Sequence, residues 1–165
     1  MSGPGPDQGA RRLRQGLLAI AAVGTVTTAI ELAFLRHWTN ILELIPWLSL
    51  ALLACAIVPL LAGPTRARLR RARWIAIVNG AIAGLGVLVH VWQNYEAAPL
   101  DYRYTASWPT TPEPVRWLLA FTDTVGPTPS LAPAALAFVS VCLLLATVVH
   151  PLLDDPAPLA PKGSA

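Results

Sequence analysis

Apolar residues gather in four blocks along the chain, near 15–35, 41–62, 74–95 and 131–150. Each block is close to the ~20 residues an α-helix needs to cross a hydrocarbon core. Backbone inside lipid must satisfy its own hydrogen bonds, so blocks of this length predict helices. The expected fold is all-α: an integral membrane bundle of four transmembrane helices, one domain spanning 15–150. Residues 1–14 and 151–165 hold many Gly, Pro and small polar residues and are expected to be disordered tails. The 96–130 stretch is too long for a plain connector. Within it, "PEPVRWLLAFTDT" places Val115, Leu118, Leu119 and Phe121 at helical spacing. This predicts a short helix on the membrane surface, with a lid over polar residues beneath it as the functional alternative.

Charge placement orients the bundle. Arg11, Arg12 and Arg14 precede the first block, and Arg66, Arg68, Arg70, Arg71 and Arg73 lie between the second and third. The other two connections carry only Arg36, then Arg103 and Arg116. The positive-inside rule then puts both termini and the 66–73 loop in the cytoplasm. The net charge of +3 reflects these flanks, not a basic binding patch, so nucleic acid is not an expected partner. A basic start followed by an apolar run also fits a cleaved signal peptide. However, the run continues through Leu35, longer than a signal core needs.

Composition agrees with a membrane domain: 55% of residues are hydrophobic and 13% charged, the latter about half the usual share for a soluble chain. Cys55 and Cys142 lie inside apolar blocks, where small packing residues are a simpler account than a disulfide. No internal repeat, phosphate loop, zinc-type cysteine cluster, nucleophile elbow or haem-attachment motif is present. The third block carries Gly80 and Gly84 in a G-x-x-x-G, with Ala76, Ala83 and Val87 on the same face. Such a face packs against another helix, of the same chain or of a second copy.

Polar residues inside the blocks are the candidate chemistry. Glu31 falls about 6 Å short of the outer end of its span at the helical rise. His90 lies at a similar depth, Asn94 one turn beyond it, and Glu96 at the boundary. Arg36, His37 and Glu43 fall near the same level. An ionisable group within a bilayer is costly and is a functional hypothesis by default. A Glu31–His90 pair would suit metal binding, proton movement or a polar headgroup. A structural ion pair of Glu31 with His90 or Arg36 is the plainer alternative. His37 and Trp38 also suit interfacial anchoring. Asn79 is expected to bond a neighbouring helix, and His150 to close the last span.

The order "ELAFLRHW", "LIPW", "HVWQNYE", "PSLAPAALA" and "HP" resembles a group of small bacterial four-span membrane proteins. The resemblance covers Glu31 to Pro151. It implies no enzyme activity and marks Glu31, Arg36, His37, Trp38, Pro46, Trp47, His90, Asn94, Glu96 and Pro133 as positions of interest. Members of that group commonly carry Glu-Arg-His-Trp at the first site, where this chain has Phe34-Leu35-Arg36-His37-Trp38.

The expectation is a multi-pass protein of the bacterial cytoplasmic membrane. Its first functional reading is binding of a small ligand, metal or partner at Glu31, His90, Asn94, Glu96, Arg36 and His37. Glu31 and His90 are the metal candidates; no cofactor is specified. Two alternatives stand beside it. One is a redox or proton-transfer subunit using Glu31 and His90, or ligating haem or metal through His90 and His37. The other is a structural accessory subunit, in a homo-oligomer or a larger membrane complex.

Overall fold

The helix boundaries follow local chemistry. In the computed structural model, which describes residues 6–129, 131–148 and 150–154, α1 runs Pro6–Phe34. Proline suits a first helical turn, where its missing N–H would have had no partner. Ala, Arg and Leu then sustain the helix through residues 10–14. The amino-terminal tail expected through residue 14 is therefore helical from Pro6, while residues 1–5 lie outside the described range.

Helix α1 stops in a Schellman motif. The amide of His37 donates to Leu32 O at 3.0 Å and that of Arg36 to Ala33 O at 3.1 Å. Arg36 occupies the left-handed region with φ of 51°, a position usually given to glycine. A turn over 39–43 follows, so α2 begins at Leu44, not at 41. Asn40 Oδ1 accepts from the amides of Leu42 and Glu43 at 3.0 and 3.1 Å, which fixes the turn that leads into α2.

Helix α2 (Leu44–Ala62) ends at Gly63, whose φ of 148° takes the chain out of the helix. Arg68 Nη1 donates to the carbonyls of Pro59 and Gly63 at 3.3 and 2.8 Å and so caps α2 from the next helix. Thr65 starts α3 (Arg66–Ala97), its Oγ1 accepting from the Arg68 amide. The arginine stretch 66–73, expected as a connection, is thus the first two turns of α3. Helix α4 (Glu113–Phe121) is the short loop helix, within the predicted 112–124. Helix α5 is Leu131–Val148, and α6 is a single turn, Pro151–Asp154, inside the expected carboxy-terminal tail. The rest of that tail, 155–165, lies outside the described residues.

Four helices, α1, α2, α3 and α5, are long and apolar enough to cross a membrane, and no strand occurs among the described residues. The protein is a multi-pass helical membrane bundle. Helix α5 is central, packing on both α1 and α3; α2 also touches both, and α4 sits on α3.

Small residues set the close approaches. A Cβ at Gly24 on α1 would come within 2.5 Å of Val139 Cγ2 on α5. On α3, Cβ atoms at Gly80 and Gly86 would meet Ser140 and Pro133 at 3.4 and 3.2 Å. The α3 glycine face therefore serves a helix of the same chain, while Gly84 opens onto free space. Asn79, fully buried, donates to Ser140 Oγ at 3.0 Å and ties α3 to α5. Ser140 in turn donates to Leu136 O. Cys142 is buried and Cys55 exposed, and both are free thiols.

Two hydrophobic cores result. The larger joins the four spans around Leu32, Leu53, Leu69, Val139 and Leu143. The smaller lies at the loop end of α3 and gathers Val91, Ala98, Trp108, Ala120 and Val125. The 98–129 segment is thus a folded cap with its own interior.

Candidate functional site

The polar residues grouped by depth fall into three separate places. Helix α1 carries Glu31 and α3 carries His90 and Asn94, and these helices meet α5 from different sides. Glu31 is half-buried and, among the described residues, its carboxylate makes no hydrogen bond or ion pair. Neither His90 nor Arg36 pairs with it, so the ion pair expected from depth alone is not made. Arg36 and Glu96 are exposed and likewise carry no ion pair among the described residues. The reason is lateral: a shared depth places residues on one level but does not choose which helix faces which. For Arg36 it is also angular, since residues five apart on a helix do not share a face.

His90 and Asn94 are engaged with the cap. His90 Nδ1 lies 2.7 Å from Pro129 O, the carbonyl just before α5. Asn94 is fully buried beneath the loop. Its Nδ2 reaches three acceptors: Thr128 O at 2.8 Å, Asp123 Oδ1 at 3.1 Å and Ala120 O at 3.3 Å. Its Oδ1 accepts from the Thr128 amide at 2.9 Å. One amide side chain therefore holds the end of α4, the following turn and the approach to α5. The fit is close: Gly126 has φ of 88°, and a Cβ there would lie 2.5 Å from the Asn94 Cα. Asp123 also takes the left-handed region, φ 53°, where α4 ends in its own Schellman motif through Thr124 N and Leu119 O. An Asp tolerates that region better than most side chains.

Glu43 and His37 belong to the α1–α2 turn. The Glu43 carboxylate accepts from the Thr39 amide at 2.6 Å, from Thr39 Oγ1 and from Asn40 Nδ2. The Thr39 amide bond is the main reason its pKa lies below the usual carboxylate value; the Thr39 hydroxyl and the nearby His37 charge add to the shift. The His37 carbonyl accepts the Trp47 indole N–H at 2.6 Å, and Trp47 also packs on Trp38 with ring centroids 6.0 Å apart. The His37 carbonyl and the Trp47 indole thus brace the turn.

An aromatic cluster on the cap was not among the sequence candidates. Tyr95 stacks on Trp117 with centroids 4.3 Å apart and meets the edge of Trp108 at 5.5 Å; Trp92 flanks Trp117 at 5.9 Å. Glu113 Oε1 accepts from both the Tyr95 hydroxyl (2.9 Å) and the Trp117 indole (3.0 Å), fastening α4 to α3. Arg116 lies over Trp108 and donates to Thr111 O and Pro109 O, both at 2.8 Å. The local signal was present in the spacing of Glu113, Arg116 and Trp117 at i, i+3 and i+4. The partnership with Tyr95 was not, because it depends on how the loop folds back. Farther along the cap, Arg103 pairs with Asp101 at 2.6 Å and donates to Thr124 O. This pairing holds the Asp101 carboxyl below its usual range.

Among the described residues, no three His, Cys, Asp or Glu side chains group as a metal-holding set. No family model matches the chain, and no curated protein or solved structure is similar to it at a significant level. The likeness to small four-span bacterial proteins therefore rests on its motifs alone.

Proposed function

We propose that this chain is a multi-pass protein of the bacterial plasma membrane, with cytoplasmic termini, and that it acts by binding a partner at the outer end of its bundle. One observation carries this reading: the fully buried Asn94 folds the outer segment into a cap through Ala120, Asp123 and Thr128. Asn94 is thereby a scaffold residue rather than a ligand contact. What the cap offers outward is a fixed surface including Leu100, Tyr102, Leu118 and Phe121, all strongly exposed. A preformed surface lowers the ordering cost of association. The arginine asymmetry supports the orientation, because it sets the cap opposite the Arg-rich end.

The test is site-specific photocrosslinking in intact cells, with the probe placed at Tyr102 or Phe121 and, for comparison, at lipid-facing Trp74. Discrete protein adducts at the two cap positions and none at Trp74 are the expected result. Adducts indistinguishable between cap and Trp74 would remove the cap as a binding surface. A periplasm-active reporter fused after Ala165 that turns on would reverse the orientation.

A further inference from the structure

Glu31 has no role in the cap and, among the described residues, no hydrogen-bond or ion-pair partner. It stands three residues before the end of α1 at Phe34, about 5 Å along the axis at the helical rise. Of the four spans, α1 buries the smallest share of its apolar stretch. The least covered span therefore carries the unpaired carboxylate.

The surface below Glu31 is shaped. Ile20, Gly24, Thr27 and Glu31 recur at intervals of four, three and four residues, which puts them on one stripe of α1. Thr27 turns its hydroxyl back onto the Gly24 carbonyl at 3.1 Å and asks for no outside partner. Beside the stripe, Ala19, Ile20, Val23, Gly24 and Phe138 line a groove of about 370 Å³ between α1 and α5. It forms because Gly24 lets α1 close onto Val139. Glu31 lies seven residues above Gly24, two turns along the same stripe.

An apolar groove within the spans, with a carboxylate two turns above it on the same helix stripe, is complementary to an apolar rod bearing a cation. Ionisable residues within spans are paired, face protein or face a water-filled cavity. Helices in lipid associate by close packing along small-residue faces and by interhelical polar contacts. We infer that Glu31 and the groove beneath it dock a transmembrane helix of a partner protein that carries one lysine or arginine at the depth of Glu31. The helix lies along the Ile20–Gly24–Thr27 stripe, and its cation meets the Glu31 carboxylate. This site is independent of the cap and stands or falls separately from it.

The test uses the full-length protein in phosphatidylcholine vesicles, with energy transfer to a synthetic Leu/Ala transmembrane peptide of about 20 residues. The peptide carries one lysine a turn below its outer end; the control carries leucine there. The lysine peptide is expected to bind roughly tenfold more tightly than the control. That preference disappears in Glu31→Gln, which disturbs no hydrogen bond of the fold and whose helicity is checked by circular dichroism. Ala19→Trp, which fills the groove from the lipid side, weakens both peptides. Equal binding of the two peptides overturns the proposal, and so does a lysine preference that survives Glu31→Gln. Undiminished binding to Ala19→Trp removes the groove from it. Energy transfer between two copies of the protein that Glu31→Gln abolishes assigns the site to self-association instead. An aminophospholipid retained by the wild type but not by Glu31→Gln in native mass spectrometry assigns it to a headgroup. Either result overturns the partner helix.

Discussion

Asn94 and Thr128 exchange two hydrogen bonds: Asn94 Nδ2 donates to the Thr128 carbonyl at 2.8 Å, and the Thr128 amide donates to Asn94 Oδ1 at 2.9 Å. The side-chain amide thereby imitates a backbone partner and satisfies both polar groups of a residue 34 positions away. Asn94→Leu removes this bracket and leaves buried carbonyl and amide groups without partners. Each such group costs about 1–3 kcal/mol, so the cap is expected to open before the bundle. Asn94→Asp is the sharper variant. It keeps the acceptor, loses the donors, and faces a charge toward Asp123 and two carbonyls. Limited proteolysis in detergent is expected to cut both variants between 100 and 129 while the wild type stays intact. Equal resistance of all three would show that the cap is held by other means.

Gly126 and Asn94 form a coupled pair. At Gly126 both the left-handed φ of 88° and the 2.5 Å approach of a new Cβ to the Asn94 Cα oppose any side chain. Gly126→Ala is expected to destabilise the cap by about 1–3 kcal/mol. Because both changes disrupt one contact, the double variant Gly126→Ala/Asn94→Leu should lose less than the sum of the singles. Thermal unfolding of the cap, followed by tryptophan emission, measures the three values. Strict additivity would separate the two residues.

The four spans, the loop helix and the polar residues themselves were legible from periodicity, since hydrophobic length and turn residues are local properties. The lateral arrangement was not. Glu31, His90 and Asn94 share a level, yet α5 packs with both α1 and α3 and draws their contacts. What places α5 there are fits such as Gly24 against Val139 and Gly86 against Pro133. Periodicity marks these residues as small but does not say which helix each one meets. Asn94 illustrates the limit from the other side. Its polarity within a span pointed to a site, whereas its four bonds close a loop whose carbonyls are too numerous and too far off in sequence to be matched in advance. Glu113 was hidden for the converse reason: an exposed acid in a loop draws no attention until Tyr95 and Trp117 both point their donors at it.

Glu113 is expected to matter for the cap's aromatic packing more than for overall stability. Its side chain is well exposed and its ion pair with Arg116 is long, 3.5 Å, so the charge contributes little. The two donors on Oε1 are neutral and specific. Glu113→Ala is expected to change the near-ultraviolet circular dichroism of Trp117 and Tyr95 while shifting stability by no more than about 1.5 kcal/mol. Tyr95→Phe should reproduce about half of the spectral change. An unchanged spectrum in both would mean that ring stacking alone orders the cluster.

Gly24 tests the packing that places α5 beside α1. An alanine there would set its Cβ 2.5 Å from Val139 Cγ2, and Val139 is itself buried. The helices must part or Val139 must leave its rotamer, and overpacking of this kind costs about 1–3 kcal/mol. Val139→Ala alone creates a small void and is also destabilising. The two together restore the volume, so Gly24→Ala/Val139→Ala should be more stable than Gly24→Ala. Unfolding in mixed detergent micelles gives the comparison; a double variant as weak as the sum of the singles would rule out direct contact between these positions.

The α1–α2 turn carries a predicted pH dependence whose sign follows from Glu43. Its carboxylate accepts from the Thr39 amide first and foremost, and its folded pKa lies below the ordinary value of 4.5. A carboxyl with a depressed folded pKa binds fewer protons folded than unfolded in the interval between the two values, so its contribution is complete above 4.5 and falls away as pH drops through the folded value. At neutral pH the turn is therefore fully braced, and acid releases Thr39 and Asn40 together. The Thr39 amide proton, followed by nuclear magnetic resonance in micelles, should titrate with a midpoint below 4.5. In Glu43→Gln it should show no such titration. A Thr39 midpoint at or above 4.5 in the wild type would mean that the carboxylate is not held by that amide, and that Asn40, through its bonds to Leu42 and Glu43, shapes the start of α2 alone.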